Sequence, residues 1–337
     1  VADDGEPFLG DAELRRQRKQ LFLAAKNAGV NAVKLQKRDN KTLFIKEVYN
    51  KVYDNPNSYG ETYGEHREFL EFGWHEYVEL QKYAKELDLD FFSTAFDIPS
   101  ADFLEKLDAP AYKFASGDLK TIPLLKHVAK FGKPMIISTG GASLEDIRRA
   151  YEAVMPINNQ ICIMQCTGGY PPEWHELNLM VIDTLRKEFP DIVIGFSSHD
   201  NGIAMAVAGY MLGARIIEKH FTLNRAMKGT DHAFSLEPVG MTKMVRDLRR
   251  LKLALGDGKK ITYASEKGPI TKMGKSLVAK RDLPQGHTLS DDDIAMKSPG
   301  GGIPPYEWQN LVGMTLVQPT REDEAFDYSK LVARQSA

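Results

Sequence analysis

The chain has 337 residues, 42% of them hydrophobic and 27% charged, with a formal net charge of −2. That length asks for one large domain plus a small one, and the balanced charge excludes the basic footprint of a nucleic-acid binder. No apolar run approaches the roughly 20 residues that cross a bilayer, so no membrane role is expected.

In chain order, the first residue is Val1, so residues upstream are expected to be missing, and nothing reads as an export signal. Val1-Ala2 reads as the stub of a strand, because a helical pattern follows over 11–28 and an alternating chain needs a strand ahead of it. Seven further strands are expected at NAVKLQ (31–36), LDFFST (89–94), AYKFAS (111–116), KPMIIST (133–139), ICIMQCT (161–167), IVIGFSS (192–198) and ARIIEKHF (214–221). Eight such units within about 255 residues predict a closed (β/α)8 TIM barrel, with an open doubly wound sheet as the alternative. Residues 37–73 are too long for an ordinary connection and poor in apolar residues, which predicts a functional loop or lid. Cys162 and Cys166 share one apolar stretch, as suits reduced core thiols of a cytoplasmic protein better than a disulfide framework.

After the helical MTKMVRDLRRLKLALGDGKK the pattern changes at ITYASEKGPITKMG, a polar connection. The expected domains are a barrel over 1–257, a linker over 258–273 and a small β-rich module over 274–337, with Gly- and Pro-containing turns and a capped turn at Ser290-Asp291.

Nearly every strand ends in polar groups. Residues i and i+2 share a face, so Lys34 with Gln36, Ser197 with His199, and Glu218 with His220 each aim two polar groups the same way. Carboxyl ends of barrel strands are where such folds keep their chemistry. His199 and His220 close consecutive strands about 5 Å apart, near enough for two imidazoles to share a divalent metal at roughly 2.1 Å each. The other reading, in which each ring only hydrogen-bonds loop backbone, stays open at this point. The six remaining histidines (His66, His75, His127, His175, His232, His287) fall in helical or loop contexts, where surface or capping roles suit most of them.

Lys34 and Lys113 lie inside apolar strands, where a lone ammonium is costly to bury. A bound carboxylate or phosphate relieves that cost, with hydroxyls from Thr94, Ser116, Ser138 and Ser197 around it. An internal ion pair with Glu218 or Asp118 does so as well. No P-loop or GxGxxG pattern follows any strand, so a nucleotide is not indicated.

Together the strings VKLQ, FFSTAFD, PAYKFASGD, GKPMIISTG, QCTGGYP, IGFSSHD, and EKHFTL followed by KGTDHAFSLEP resemble the sialic acid synthase family in order and spacing. The tail GKSLVAKRDLPQGHTLSDDDIAMKSPGGGI is similar to its antifreeze-like (SAF) domain. The resemblance implies an enzyme that condenses phosphoenolpyruvate with an N-acylated aldose such as N-acetylmannosamine or its 6-phosphate, releasing phosphate. It implies manganese or magnesium held by His199 and His220. It also implies phosphoenolpyruvate held by Lys34, Thr94, Lys113, Ser116, Ser138 and Ser197, a sugar met by Gln36, Asp118, Tyr170 and Asp231, and a domain-swapped homodimer. Glu218 joins the expected catalytic set as a further metal contact.

Three departures stand out. DDGEPFLG places Asp3 where the family has a catalytic glutamate and Pro7-Phe8 where it has Asn-His; Gly168 replaces a side chain that helps bind phosphate; Ser298 replaces an arginine that reaches a partner's site. The alternatives are a synthase for a legionaminic or pseudaminic acid precursor, another metal-dependent barrel aldolase, and a non-catalytic carbohydrate-binding protein. Lys37, Arg38 and Lys228 are candidates to meet a phosphate on the sugar.

Overall fold

The computed structural model describes residues 2–4 and 11–333, with side chains from residue 16 onward. The chain divides into two units, Val1–Leu255 and Gly256–Ala337. In the first, β1 (Ala2–Asp4), β2 (Ala32–Lys37), β3 (Asp90–Ala95), β4 (Tyr112–Phe114), β5 (Met135–Ser138), β6 (Ile161–Cys166), β7 (Val193–Ser198) and β8 (Ile216–Phe221) pair in sequence order into a closed parallel barrel. Closure comes from β1, which pairs with β2 on one side and β8 on the other, so the open-sheet alternative falls.

Both faces of these strands are covered, which is why they read as near-continuous apolar runs. Outward, Val33, Leu35, Tyr112, Phe114, Ile163 and Phe196 pack into the main core beneath the helices. Inward there are two layers. Ala32, Phe92, Ile136, Cys162 and Met164 form a small apolar cluster toward the amino ends of the strands. Two residues beyond Ala32, Phe92 and Ile136 stand Lys34, Thr94 and Ser138, joined by Lys113 of β4 and Glu218 of β8, all buried. The change from oil to charge thus happens within one pleat.

The crossovers run through α1 (Asp11–Ala28); α2 (Asn40–Leu43), α3 (Lys46–Tyr49), α4 (Tyr63–Leu70) and α5 (Trp74–Glu86); α6 (Ile98–Lys106); α7 (Ile122–Ala129); α8 (Leu144–Val154); α9 (Val181–Glu188); α10 (Ala204–Met211); and α11 (Pro238–Ala254). The segment 37–73, expected as a loop, therefore carries three helices. Asp39 caps α2 by accepting from Thr42 N at 2.9 Å, and Thr62 with Glu65 forms a capping box for α4. Helices of four residues are too short to print a 3.6-residue pattern. The segment is clasped to the loop after β8: Tyr59 Oη donates to Lys228 O at 2.7 Å, Lys228 Nζ to Ser58 O at 2.6 Å, and Gly229 N to Asn57 Oδ1 at 3.1 Å.

Two histidines depart from the surface roles expected for most of the six. His66 is buried, with Nδ1 accepting from Tyr59 N at 3.2 Å and its ring stacked on Tyr59, and burial pushes it down to about 4. His232 is buried with Nδ1 2.7 Å from Thr222 Oγ1.

The second unit begins with α12 (Lys267–Met273), where a polar irregular connection is expected from sequence. Pro269 falls in the first turn of that helix, where its missing N–H costs nothing. Thr271 O accepts from Gly300 N at 2.7 Å, tying α12 to the tail's glycine turn. Two antiparallel hairpins follow, β9 (Ser276–Ala279) with β10 (Ile294–Lys297) and β11 (Thr315–Leu316) with β12 (Leu331–Val332), around Leu277, Ile294, Leu311, Leu316 and Phe326. Ser290 and Asp293 form the expected capped turn. Among the described residues, no helix is long and apolar enough to cross a membrane.

Candidate active site

A cavity of about 320 Å³ opens at the carboxyl ends of the strands, and its floor is the charged layer of the lumen. Lys34 Nζ lies 3.4 Å from Thr94 Oγ1 and 3.9 Å from Glu218 Oε2. Lys113 Nζ donates to Ser138 Oγ at 2.5 Å and to Phe114 O at 3.2 Å, and lies 3.5 Å from Glu218 Oε1. Ser197 Oγ donates to the same Glu218 oxygen at 2.9 Å. Burial pulls the Glu218 carboxyl upward, but Lys113, Lys34 and Ser197 outweigh it and hold the group below the usual carboxylate range. So the internal ion pair expected as one reading is present, with Glu218 as the shared partner. Among the described side chains, two ammoniums face this one carboxylate.

Ser116 completes this wall by close backbone approach. Gly140 N donates to Ser116 Oγ at 2.9 Å, and a Cβ at Gly140 would stand 2.8 Å from that oxygen. A Cβ at Gly168 would meet nothing within 4 Å, so this position is open space.

His199 and His220 face each other beside the floor, ring centroids 5.1 Å apart at 65°. His199 Nδ1 is 2.9 Å from Thr167 O; a carbonyl only accepts, so Nδ1 carries the proton and Nε2 the lone pair of the neutral ring. The Asp231 carboxylate lies 3.6 Å from His220 Nδ1, and Thr230 Oγ1 donates to Asp231 at 2.9 Å. Tyr170 and Phe234 wall the pair, with centroids 4.2 Å from His199 and 5.0 Å from His220 respectively. Two closely spaced imidazoles, the His199 ring with its tautomer set by a backbone carbonyl, are a donor set that suits a borderline divalent ion. Among the described residues no third histidine, cysteine or carboxylate gathers with them into a metal-binding group. Glu218, expected as a metal contact, has its oxygens committed to the two lysines and Ser197.

The spacing of the rings is fixed from outside the barrel. Ser198 pairs with Lys219 in the β7–β8 register, and both side chains point away from the lumen. There Lys219 Nζ donates to Asp200 Oδ1 at 2.8 Å and to Asp200 O at 2.6 Å, an ion pair 2% exposed on both sides, with Ser198 Oγ donating to the same carboxylate. Sequence reading passed over this bridge, although Lys219 sits between two site residues. The same alternation turns two other polar strand residues away from the mouth: Ser93 meets Tyr77 Oη at 3.2 Å, and Gln165 donates to Leu177 O at 3.1 Å.

Of the residues expected in the site, Lys34, Gln36, Thr94, Lys113, Ser116, Ser138, Tyr170, Ser197, His199, Glu218, His220 and Asp231 line the cavity. Asp118 does not. It ends the 3-10 turn Ser116–Asp118, which carries its carboxyl off the lining into a buried spot, and Oδ2 has no hydrogen-bond partner there. Burial, with Asp97 adding and Arg38 and Lys113 opposing, pushes it up to about 6. Asp3 belongs to β1, whose register sets it beside Lys34 and His220, but its side chain lies outside the described residues, as do Pro7 and Phe8. Of the phosphate candidates, Arg38 lines the cavity. Lys37 Nζ instead donates to Glu71 Oε2 at 2.8 Å, and Lys228 is spent on the clasp. Arg67, Glu71, Phe96 and Thr230 line it too, brought in by loops whose fold the sequence pattern does not print. In the tail, Ser298 Oγ donates to Met273 O at 3.5 Å, and Lys297 pairs with Asp323.

Comparison with known proteins adds the family. Residues 21–260 match the NeuB family and residues 274–332 match the SAF domain. Human N-acetylneuraminate-9-phosphate synthase is 38% identical over 325 residues, 96% of this chain and 90% of the relative. N,N'-diacetyllegionaminic acid synthase of Legionella pneumophila is 34% identical, covering 94% and 89%. Among solved structures, N-acetylneuraminic acid (sialic acid) synthetase from Leptospira borgpetersenii, in complex with citrate, superposes with a TM-score of 0.67 at 28% identity, covering 80% of this chain and 90% of that one.

Proposed function

The chain belongs to the NeuB family, and on that premise we propose how its barrel works as a nonulosonic acid synthase, joining phosphoenolpyruvate to an N-acylated aldose and releasing phosphate. In this reaction C3 of phosphoenolpyruvate bonds to the aldehyde carbon of the open-chain sugar, water adds at C2, and the C2–O bond to phosphate breaks. The buried Lys34–Glu218–Lys113 cluster beside the paired imidazoles carries the reading.

Lys34 and Lys113 bind the donor's anionic groups, with Thr94, Ser116, Ser138 and Ser197 as neutral donors around them. Ionised Glu218 holds both ammoniums in place and moderates their repulsion while no anion is bound. In so dry a site these charges act strongly and are already in position, which is the economy of a preorganised pocket. Gln36, Tyr170 and Asp231 line the side that takes the sugar, aligning its aldehyde against the donor's C3. His199 and His220 would hold manganese or magnesium, which supplies Lewis acidity at the aldehyde oxygen when bound. The Thr167 carbonyl orients the His199 ring, and the Asp231 carboxylate lies 3.6 Å from His220 Nδ1.

The working unit is proposed to be a domain-swapped homodimer, a reading supported by family resemblance. The proposed compartment is the cytoplasm, which suits the free, buried thiols of Cys162 and Cys166. Incubation with phosphoenolpyruvate, manganese and candidate aldoses tests the function. Phosphate should appear only when donor and aldose are both present, alongside a nine-carbon acid by mass spectrometry; phosphate release indifferent to the sugar, or none with any, would refute it.

A further inference from the structure

The loop after β8 is closed at its neck by its own backbone and met at its tip by a distant part of the chain. At the neck Thr222 N donates to Leu236 O at 2.9 Å and Leu236 N to His220 O at 2.8 Å; inside the loop Arg225 Nε donates to Ala233 O at 2.7 Å. The tip meets the connection between α3 and α4. There Asn57 Oδ1 accepts from Gly229 N at 3.1 Å, Tyr59 Oη donates to Lys228 O at 2.7 Å, and Lys228 Nζ donates to Ser58 O at 2.6 Å. Asn57 is itself pinned, its N–H donating to Asn55 Oδ1 at 2.8 Å.

Two residues beyond Gly229 comes Asp231, which lines the cavity with its carboxylate 3.6 Å from His220 Nδ1. Asp231 O accepts from Ser235 Oγ at 2.7 Å, so this carboxylate stands on a short stretch anchored on both sides. The anchor before it is the more demanding. Gly229 turns the chain at φ +147°, a conformation that L side chains rarely adopt, and it is buried. A buried N–H without an acceptor is costly, so the Asn57 oxygen stabilises the turn from which Asp231 is presented.

Asn57, Ser58, Lys228 and Gly229 do not line the cavity. Their tie therefore acts through the residues it places. We infer that Asn57 is a positioning residue, which acts on the sugar side of the site by fixing where the Asp231 carboxylate stands. The inference rests on the synthase reading.

Phosphate release from phosphoenolpyruvate, measured on the full chain with manganese and with N-acetylmannosamine or its 6-phosphate as acceptor, tests this. Asn57→Leu keeps the bulk of the side chain without its acceptor oxygen, and should lower kcat/KM for the sugar by about 10- to 100-fold, the scale of a small misplacement near reacting atoms. Asn57→Asp supplies an acceptor oxygen again and should recover most of that loss, while the KM for phosphoenolpyruvate stays within about twofold of wild type throughout. In an Asp231→Ala background, Asn57→Leu should cost no more than about a further twofold, because the two residues act in series. Lys228→Met loosens the same tie from its other strand of contacts and should lower kcat/KM for the sugar in the same pattern, which keeps the test open should Asn57→Leu fold poorly. Full additivity with Asp231→Ala, an equal rise in the KM for phosphoenolpyruvate, or wild-type kinetics in both tie variants would overturn the role while the synthase reading stands. Turnover of neither sugar, nor of any other N-acylated aldose, would remove that reading and this role with it.

Discussion

The two layers of the barrel lumen are built on the same strands and face the same axis, yet one is Ala32, Phe92, Ile136, Cys162 and Met164 and the next is Lys34, Thr94, Lys113, Ser138 and Glu218. The lower layer is held by close packing alone. Gly195 shows how close: a Cβ there would stand 3.0 Å from both Ile216 O and Met164 Cε. The upper layer cannot be held that way, because its side chains repel as well as attract, and it needs fixed partners. Within the lumen Glu218 serves both lysines, and outside it the Asp200–Lys219 bridge ties the ends of β7 and β8. One end of the barrel is built for stability and the other for charge.

The difference can be broken at several points. The largest effect is expected at the outer tie: Asp200→Ala leaves the Lys219 ammonium buried without its carboxylate and should lower unfolding free energy by about 3–5 kcal/mol in urea titrations. Next, Lys113→Met should reduce kcat/KM for phosphoenolpyruvate by about 10²–10³-fold. Stability should change by less than about 1 kcal/mol, since Glu218 keeps Lys34 and Ser197. In the lower layer the sign of the trade reverses. Met164→Ala should cost about 2–3 kcal/mol of stability through the cavity it leaves, with turnover per folded molecule little changed.

The smallest effect sharpens the boundary between site and scaffold. Asp118 titrates near 3.8 when unfolded and near 6 when folded, so the folded chain holds the extra proton between those values. Stability from that proton is full below pH 4 and lost as pH rises through 6. Asp118→Asn should therefore stabilise the protein by about 1–2 kcal/mol at pH 8 and by nothing near pH 3.5, read as Tm against pH.

Much of this was legible in the sequence because a parallel barrel strand leaves a plain trace, an apolar run ending in polar residues. Lysines inside two such runs marked the floor, and the period of two paired Lys34 with Gln36 and Glu218 with His220. What escaped shares a physical cause. Lys219 and Asp200 point outward from the strands that carry the histidines, and nothing in a strand's pattern says that an outward lysine is buried. Arg67 and Glu71 reach the cavity from a segment whose helices are fixed by caps and by the clasp to Lys228 rather than by amphipathic period. Asp118 closes a 3-10 turn that leaves no trace in the pattern, and it is absent from the cavity lining that Ser116 joins. The helix at Lys267–Met273 was hidden by Gly268 and Pro269, which read as breakers but fall in its first turn.

The central claim is that the charged layer is an anion site for phosphoenolpyruvate, and calorimetric titration of that compound tests it most directly. The wild type should bind it saturably, and Lys34→Met and Lys113→Met should each weaken binding by at least about tenfold. Binding unchanged in both variants, or none in the wild type with manganese present, would contradict the account.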